Sequence, residues 1–394
     1  MLTKIRVKNF KSLKDVTLEL GQRNVLVGAN MAGKSNVIDL FKFVSQMTFP
    51  PAGAWALPNA VAIRGGFGEL LWKGGHEQSI SLELVGDDLN GSVRRKWKYE
   101  ILIQGDVRGN FQVVNETLSV EDSTTSGRSD LIKTKGSERL FLNADGGLIS
   151  SMNTPTRSML EFEIPDWDGN FLRSIIASWR FYELIPPIMR NPNPAAAAIF
   201  LSEHGDNLSQ WLLTLQTRHP ESFARIQTVL RDALPQISSL FTSPTQQSTV
   251  VLGTNEKHLH RPVTLGQMSA GELVFIAYLS LIFGPAELAG ALYCVEDIEN
   301  HLHPNLIETL LQVLRQSQEQ WEEKHQAAQI LVTTHSPAVV DKMKLDEVVF
   351  VERKDGATLC SRPGGKSHLR KLLEDEEVGL GDLVYSGALS DASK

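Results

Sequence analysis

The amino-acid sequence predicts an α/β fold, with a mixed sheet flanked by helices and an insertion that is β-rich and helical. Three apolar runs support this prediction: residues 24–27 run into Gly28, and residues 292–295 and 330–334 end at polar tips. Between the first two runs, the sequence shows strand-like alternation, then turns, then helical spacing. The last third of the chain has the succession of strands and helices that is typical of α/β proteins.

The predicted elements follow one another in a simple order. Residues 5–10 and 16–20 alternate apolar and polar side chains, as two paired strands do before the first apolar run. Residues 79–85 and 95–103 are predicted as antiparallel strands, and 139–143 as a single strand among the loops of 121–157. Residues 208–215, 223–234 and 273–283 have the spacing or apolar content of helices, the last of them buried.

Composition and charge favour a protein of the cytoplasm. The 394 residues are 42% hydrophobic, enough for one large core or two modest ones. A formal net charge of −7 gives no general attraction for nucleic acid, so such binding needs a local basic surface. Cys294 and Cys360 suggest no disulfide framework, and neither a signal-peptide core nor a segment long enough to span a bilayer is expected. We therefore predict no membrane partner.

Residues 28–35 read G-A-N-M-A-G-K-S and match the phosphate-loop pattern G-x-x-x-x-G-K-S/T. Glycine lets the backbone N–H groups of such a loop curl around phosphate oxygens, and the following helix points its positive end at them. Lys34 is expected to reach the β- and γ-phosphates of ATP, and Ser35 to offer its hydroxyl to Mg²⁺. The predicted nucleotide site of this loop comprises Gly28, Asn30, Gly33, Lys34, Ser35 and Asn36.

A second motif, M-S-A-G-E at residues 268–272, opens the apolar helix predicted over 273–283. Ser269 can cap this helix and, with the N–H of Gly271, present donors to a γ-phosphate. Glu272 favours the positive end of the helix. The alternative is an ordinary helix cap without a ligand.

The third motif is the apolar strand of residues 292–295 followed by Glu296 and Asp297. A phosphate-loop fold uses such acids to hold Mg²⁺ and to position the attacking water. We assign Glu296 to the metal and Asp297 to the water, with surface acids at a strand end as the alternative. His301 and His303 form an H-x-H pair, but the helix-starting Pro304 favours a structural turn over a metal site.

The fourth motif is the polar tip T-T-H-S-P that ends the strand of residues 330–334. His335 at this tip can hydrogen-bond the γ-phosphate or the water-positioning acid, and so report which nucleotide is bound. A capping or core histidine is the alternative.

In this order, the four motifs resemble the ABC-type ATPase head of SMC and RecF proteins and of AAA-type bacterial ATPases related to OLD-family nucleases. The segments I-R-V-K-N-F-K-S at residues 5–12 and E-N-H-L-H-P at 299–304 are especially similar to the OLD-related group. The resemblance implies an ATPase core of residues 1–75 and 250–394, with residues 76–249 as the insertion lobe. It also implies a homodimer or higher even oligomer, in which Ser269 and Gly271 of one protomer close over ATP held by the phosphate loop of the other.

The sequence departs from this family pattern at three points. Glu296 and Asp297 stand where such heads usually have Asp and then Glu, and Ile298 replaces a common proline. The shorter water-side carboxylate is withdrawn by roughly 1.5 Å, which predicts slow turnover. Gln46 is only a candidate for the glutamine that usually senses Mg²⁺.

The target of ATP hydrolysis is less well defined by the sequence. About forty residues follow Val351, fewer than the usual minimum of a domain, so we expect no nuclease domain, and residues 379–389 resemble the tail of stand-alone ATPases. The basic stretch of residues 94–99 interleaves charges with aromatic rings. It is interpreted either as a nucleic-acid grip or, with preference, as a solvated edge strand protected by charge.

Two functions remain open at this level. The first is an ATPase that acts on DNA, in repair or in defence against phage, through closure of the dimer on ATP. The second is a slowly hydrolysing scaffold that holds and releases an effector protein such as a nuclease or toxin.

Overall fold

The computed structural model describes residues 1–90, 93–106, 108–122, 127–285, 292–323, 328–362 and 381. The chain forms two compact units. The first comprises Met1–Trp179 and Lys344–Glu377, and the second comprises Arg180–Met343 and Val378–Lys394. Apart from Gly381, the tail segment of residues 379–389 lies outside the described residues.

A long antiparallel sheet dominates the first unit, with strand order β2-β1-β4-β5-β6-β7-β8-β9. Its strands are β1 (Leu2–Phe10), β2 (Leu13–Glu19), β4 (Ser79–Asn90), β5 (Val93–Gly105), β6 (Phe111–Asp122), β7 (Arg128–Lys135), β8 (Glu138–Leu142) and β9 (Leu148–Met152). The predicted pairing of the first two strands is confirmed, with Ile5 opposite Leu18. Residues 121–157 hold β7, β8 and β9 instead of one strand among loops, because polar side chains at alternate positions cover the exposed face of a sheet.

The basic stretch around Lys96 lies on β5, which pairs with β4 on one side and β6 on the other. The expectation of an edge strand is therefore wrong. Trp97 and Tyr99 are 1% and 0% exposed, so they cannot stack on bases. Arg95 pairs with Asp88 at 2.8 Å, which leaves this stretch a balanced, packed strand.

The first unit also contains a small mixed group of strands, in the order β3-β17-β18. Strand β3 (Arg23–Val27) runs parallel to β17 (Val348–Lys354), and β17 runs antiparallel to β18 (Ala357–Ser361). The predicted mixed sheet is confirmed. The helices of this unit are α1 (Lys34–Thr48), α2 (Ala56–Ala62), α3 (Phe67–Leu70) and α4 (Asn170–Ala177), with a 3₁₀ turn at Met159–Glu161.

In the second unit, β10 (Trp179–Tyr182), β15 (Leu292–Val295) and β16 (Gln329–Thr334) lie side by side in that order. β15 and β16 are parallel, with Val295 opposite Val332. A second group has the order β11-β13-β12, with β14 beside β13. Its strands are β11 (Asn193–Pro194), β12 (Ile237–Pro244), β13 (Thr249–Glu256) and β14 (Val263–Thr264).

Helices surround these strands of the second unit. They are α5 (Pro186–Met189), α6 (Leu208–Arg218), α7 (Pro220–Ala233), α8 (Ala270–Ile282), α9 (Pro304–Glu323) and α10 (Pro337–Val340). The predicted buried helix is confirmed as α8, whose residues from Leu273 to Leu279 are all buried. A helix that is apolar on all sides must be surrounded by protein. None of the helices in the described ranges has the length and apolar character that crossing a bilayer requires.

Candidate functional site

The phosphate loop of the first unit connects buried strand β3 to helix α1. A Cβ atom at Gly28 would lie 2.0 Å from the Val351 carbonyl oxygen on β17. Gly33 has φ +110°, and a Cβ there would lie 2.1 Å from Thr358 Oγ1 on β18. Both positions therefore accept only glycine. Close packing is the reason at Gly28, and packing together with the positive φ is the reason at Gly33.

Lys34 begins α1 and is 5% exposed. Its ammonium donates to the carbonyl oxygens of Gly28 at 2.7 Å and Ala29 at 3.1 Å. The lysine thus folds over its own loop, and its charge is satisfied by main-chain oxygens of the residues predicted to hold phosphate. A phosphate oxygen is a stronger acceptor for this ammonium than a neutral carbonyl.

The residues around the loop fit an anionic ligand. The first turn of α1 carries no acidic residue, and Ser35 and Asn30 are both exposed. The cradle is formed by glycines that cannot be replaced, at the positive end of a 15-residue helix. These features suit a triphosphate, and the exposed Ser35 hydroxyl suits a metal ion beside it.

A cleft of about 470 Å³ opens beside the first turn of α1. It is lined by Lys11, Asn36, Arg64, Trp72, Lys73 and Arg353, among others. Arg353 Nη1 approaches the Met31 carbonyl oxygen of the loop at 3.5 Å. Most of its basic side chains are paired, since Lys11 and Arg64 bind Asp39 and Lys73 binds Glu69. The cleft borders the phosphate loop.

The prediction of Gln46 as the glutamine that senses Mg²⁺ is wrong, because of its position. Gln46 lies near the end of α1, about 16 Å along the helix axis from Ser35. Its side-chain oxygen accepts a hydrogen bond from Arg64 at 2.8 Å. Gln46 supports Arg64 and is too far away to sense a metal at the loop.

In the second unit, Ser269 is the N-cap of α8 in a full capping box. Ser269 Oγ accepts from the Glu272 N–H at 3.1 Å, and the Glu272 carboxylate accepts from the Ser269 N–H at 2.6 Å. The predicted cap is confirmed. A Cβ at Gly271 would lie 2.8 Å from the His301 carbonyl oxygen, so this glycine brings α8 against the turn after the acids.

Asp297 sits in the turn that follows β15 and has φ +45°. Its N–H donates to Thr333 Oγ1 at 2.8 Å, and Thr333 Oγ1 donates to Asp297 Oδ1 at 3.0 Å. The preceding Glu296 is half-buried and donates its N–H to the Tyr182 carbonyl oxygen at 2.9 Å. The strand end thus fixes the main chain of both acids.

His335 Nε2 lies 3.8 Å from Asp297 Oδ1, beyond a direct hydrogen bond but within ion-pair range. The main-chain N–H of His335 donates to the Glu299 carboxylate at 2.5 Å. Burial, together with the neighbouring charges of Glu299 and Asp297, raises the pKa of Tyr278 on α8 far above that of a free tyrosine. The structure therefore brings Asp297, Glu299 and His335 together where β15 and β16 end.

The H-x-H pair forms a turn, as preferred. His301 has φ +69°, and His303 Nδ1 accepts from the Asn305 N–H at 3.4 Å where α9 begins. Within the described residues, no group of three histidine, cysteine or acidic side chains is placed to hold a metal.

Sequence reasoning missed four residues that hold the predicted ones in place. Thr333 and Glu299 bond Asp297 and His335, while Ser12 and Thr358 pack under the phosphate loop. Thr333 lies two residues before His335, and Glu299 two residues after Asp297. Their hydrogen-bonding side chains next to predicted site residues could have indicated this supporting role. Ser12 and Thr358 are 346 positions apart and gave no such indication.

Solved structures with a similar fold include SMC heads. A crystal structure of the SmcHead bound to the C-winged helix domain of ScpA matches with a TM-score of 0.52 and 13% identity, over 94% of this chain and 99% of that chain. An Smc head with an extended coiled coil, bound to the C-terminal domain of ScpA derived from Pyrococcus furiosus, matches with a TM-score of 0.50 and 13% identity, over 95% and 99%. The chain thus has the fold of an SMC head, as predicted.

No curated protein sequence matches the chain. A family model does match, over residues 23–341, and its description is "AAA domain, putative AbiEii toxin, Type IV TA system". This range holds the phosphate loop, the capped helix α8 and both polar strand tips. The chain belongs to this family of AAA domains.

Proposed function

We propose that this protein binds and hydrolyses ATP, and that two copies close around the nucleotide. The observation that carries the proposal is the phosphate loop, in which two irreplaceable glycines precede the helix that begins with the buried Lys34. Family membership supports the same conclusion, because the matched family is one of AAA domains.

The phosphate loop and the acidic strand end have separate roles in this proposal. Gly28 and Gly33 shape the loop for phosphate, and Lys34 exchanges its main-chain acceptors for phosphate oxygens. Ser35 and Glu296 would hold Mg²⁺, which neutralises charge on the phosphates when bound. Asp297 orients the attacking water. The hydrogen bond from Thr333 supports a fixed Asp297 carboxylate, and the His335 imidazole lies close to it, with Nε2 3.8 Å from Oδ1.

The test is ATP hydrolysis by the purified chain and by Lys34→Ala, with Lys135→Ala as the control. Lys135 is an exposed lysine on β7 and has no part in the proposed site. We expect Lys34→Ala to lose about 100-fold or more of the rate, as removal of a charged donor to a transferring phosphoryl group does, and Lys135→Ala to retain it. Equal rates in all three proteins would refute the proposal.

Two measurements test whether two copies share each ATP site: the molecular mass with nucleotide, and the activity of a mixture of two inactive variants. An Asp297→Asn variant is expected to shift with ATP and Mg²⁺ from the monomer mass of 43.6 kDa to twice that value. In the wild-type background, Lys34→Ala and Ser269→Arg should each be inactive alone. Mixed together, they should regain activity, because one of the two shared sites then combines an intact loop with an intact Ser269. Hydrolysis by a monomer would contradict this part.

A nucleotide-gated scaffold is the second candidate function. It is favoured by the short Asp297 side chain, which has one oxygen engaged by Thr333, and by the type IV toxin–antitoxin system in the family description. The two similar SMC heads are also seen bound to a domain of another protein, ScpA. DNA-stimulated hydrolysis would favour a DNA-directed ATPase. A stable complex with an effector that ATP releases would favour the scaffold.

A further inference from the structure

A line of three hydrogen bonds, two of them buried, runs beneath the phosphate loop. Asn36 Nδ2 donates to Ser12 Oγ at 2.6 Å, Ser12 Oγ and Thr358 Oγ1 are 2.7 Å apart, and Thr358 Oγ1 donates to the Ala32 carbonyl oxygen at 2.8 Å. Thr358 is 0% and Ser12 7% exposed. We call these four groups the Thr358 relay.

The direction of every proton in the Thr358 relay is determined. A hydroxyl has one proton, and that of Thr358 is committed to the Ala32 carbonyl oxygen. Ser12 must therefore donate to Thr358 Oγ1, while its own oxygen accepts from Asn36. Loss of the Thr358 hydroxyl takes the acceptor from Ser12 and this donor from the Ala32 carbonyl oxygen, whereas loss of the Ser12 hydroxyl takes the acceptor from Asn36.

The relay also determines the shape of the loop. Its acceptor, Ala32, directly precedes Gly33, whose φ of +110° is reached only by glycine without strain. A Cβ at Gly33 would meet both hydroxyls, at 2.1 Å from Thr358 Oγ1 and 3.0 Å from Ser12 Oγ. The main-chain bond from Thr358 N–H to the Ser12 carbonyl oxygen, 2.7 Å long, holds the two hydroxyls together.

We propose that Thr358 is a positioning residue for the triphosphate, acting through Ser12 and the Ala32 carbonyl to hold the loop open in its phosphate-binding shape. This inference rests on the proposed function, since it names what pre-forms the same site. The Thr358 hydroxyl is buried and bonds Ser12 and the Ala32 carbonyl oxygen. The bond to Ala32 holds the main chain directly before Gly33 and Lys34, and a preformed cradle binds more tightly than one that must be ordered.

The experiment compares four variants of the full chain. Thr358→Val keeps the shape but removes the hydroxyl, Thr358→Ser restores it, and Ser12→Ala breaks the relay one step earlier. Thr242→Val is the matched control. Thr242 is a buried threonine of the second unit that donates to Gln216 Oε1 at 2.6 Å. Each variant is measured for amide hydrogen exchange of residues 28–37 without nucleotide, for ATP affinity and for thermal unfolding.

We expect Thr358→Val and Ser12→Ala to exchange about tenfold faster over residues 28–37 and to bind ATP about tenfold more weakly. Thr358→Ser should stay within about twofold of wild type in both measurements. Thr242→Val should unfold at a lower temperature with the loop unchanged. Folded Thr358→Val and Ser12→Ala proteins with wild-type loop exchange would overturn the inference. If the wild-type chain bound no ATP, the proposed function would fail, and the exchange comparison would still decide the role of the relay.

Discussion

Asp297 and Thr333 hold each other through a reciprocal pair of hydrogen bonds. The N–H of Asp297 donates to Thr333 Oγ1 at 2.8 Å, and the same hydroxyl donates to Asp297 Oδ1 at 3.0 Å. Thr333 lies on β16 and is 1% exposed. This pair fixes Asp297 at φ +45°, a conformation that aspartate tolerates better than most residues.

Removal of the Thr333 hydroxyl should affect catalysis more than binding. We expect Thr333→Val to lower the rate of ATP hydrolysis about tenfold or more, because a carboxylate that is free to turn is rarely in position. ATP affinity should change less than about threefold, since Thr333 has no place in the phosphate loop. Single-turnover rates and equilibrium binding measure the two quantities separately.

Thr333→Ser is the control for this prediction, because it keeps the hydroxyl. It should hydrolyse ATP at nearly the wild-type rate. If Thr333→Val lost affinity and rate in equal measure, its role would be general support of the fold.

The two kinds of glycine should differ in stability measurements. Gly33→Ala forces a Cβ to within 2.1 Å of Thr358 Oγ1 at φ +110°, so we expect it to lower the free energy of unfolding by about 3 kcal/mol or more. Gly53→Ala also has positive φ, +80°, but no atom lies within 4 Å of its Cβ, and it should cost only about 1 kcal/mol. Urea unfolding measures both values, and equal losses would contradict the packing argument.

Asp39 should contribute to stability at neutral pH and not in acid. Partial burial raises the pKa of its carboxyl, but hydrogen bonds and charge from Arg64 and Lys11 outweigh this and hold it below the usual value of 3.8. A lowered pKa in the folded state means that the stabilisation is present above about pH 4 and is lost as the pH falls through the folded-state value.

Asp39→Asn is therefore expected to lower the free energy of unfolding at pH 7 by about 2 kcal/mol, because it leaves Arg64 without its carboxylate. It should also lose less stability than wild type between pH 4 and pH 2. Asp15→Asn, in an exposed pair with Arg6, is the control and should have a much smaller effect. If Asp39→Asn lost as much stability as wild type between pH 4 and pH 2, this assignment would be refuted.

Charge reversal on β5 should affect stability and leave DNA binding alone. Arg94 and Arg95 pair with Asp87 and Asp88, and Arg95 also lies 3.8 Å above the Phe171 ring. We expect replacement of Arg94, Arg95 and Lys96 by glutamate to lower the unfolding temperature. Affinity for DNA at low salt should not change. A large loss of affinity without loss of stability would restore the nucleic-acid interpretation of this strand.

Much of the fold could be predicted from the sequence, because local patterns determine local structure. The alternation in residues 5–10, the apolar run that became α8 and the capping box at Ser269 each depend on near neighbours in the chain. Residues 121–157 could not be predicted in this way, since their polar content is equally typical of loops and of strands with one exposed face. The position of Gln46 likewise depended on how far α1 continues past the loop.

The sequence by itself determined that this chain has a phosphate loop, a capped helix and two strands with polar tips, since spacing and residue type are local properties. Only the tertiary structure decided what holds those motifs. Thr358 and Ser12 are 346 positions apart in the chain but meet beneath the loop, and Thr333 contacts Asp297 from the neighbouring strand. Such contacts depend on the register and packing of whole strands, which no short stretch of sequence encodes.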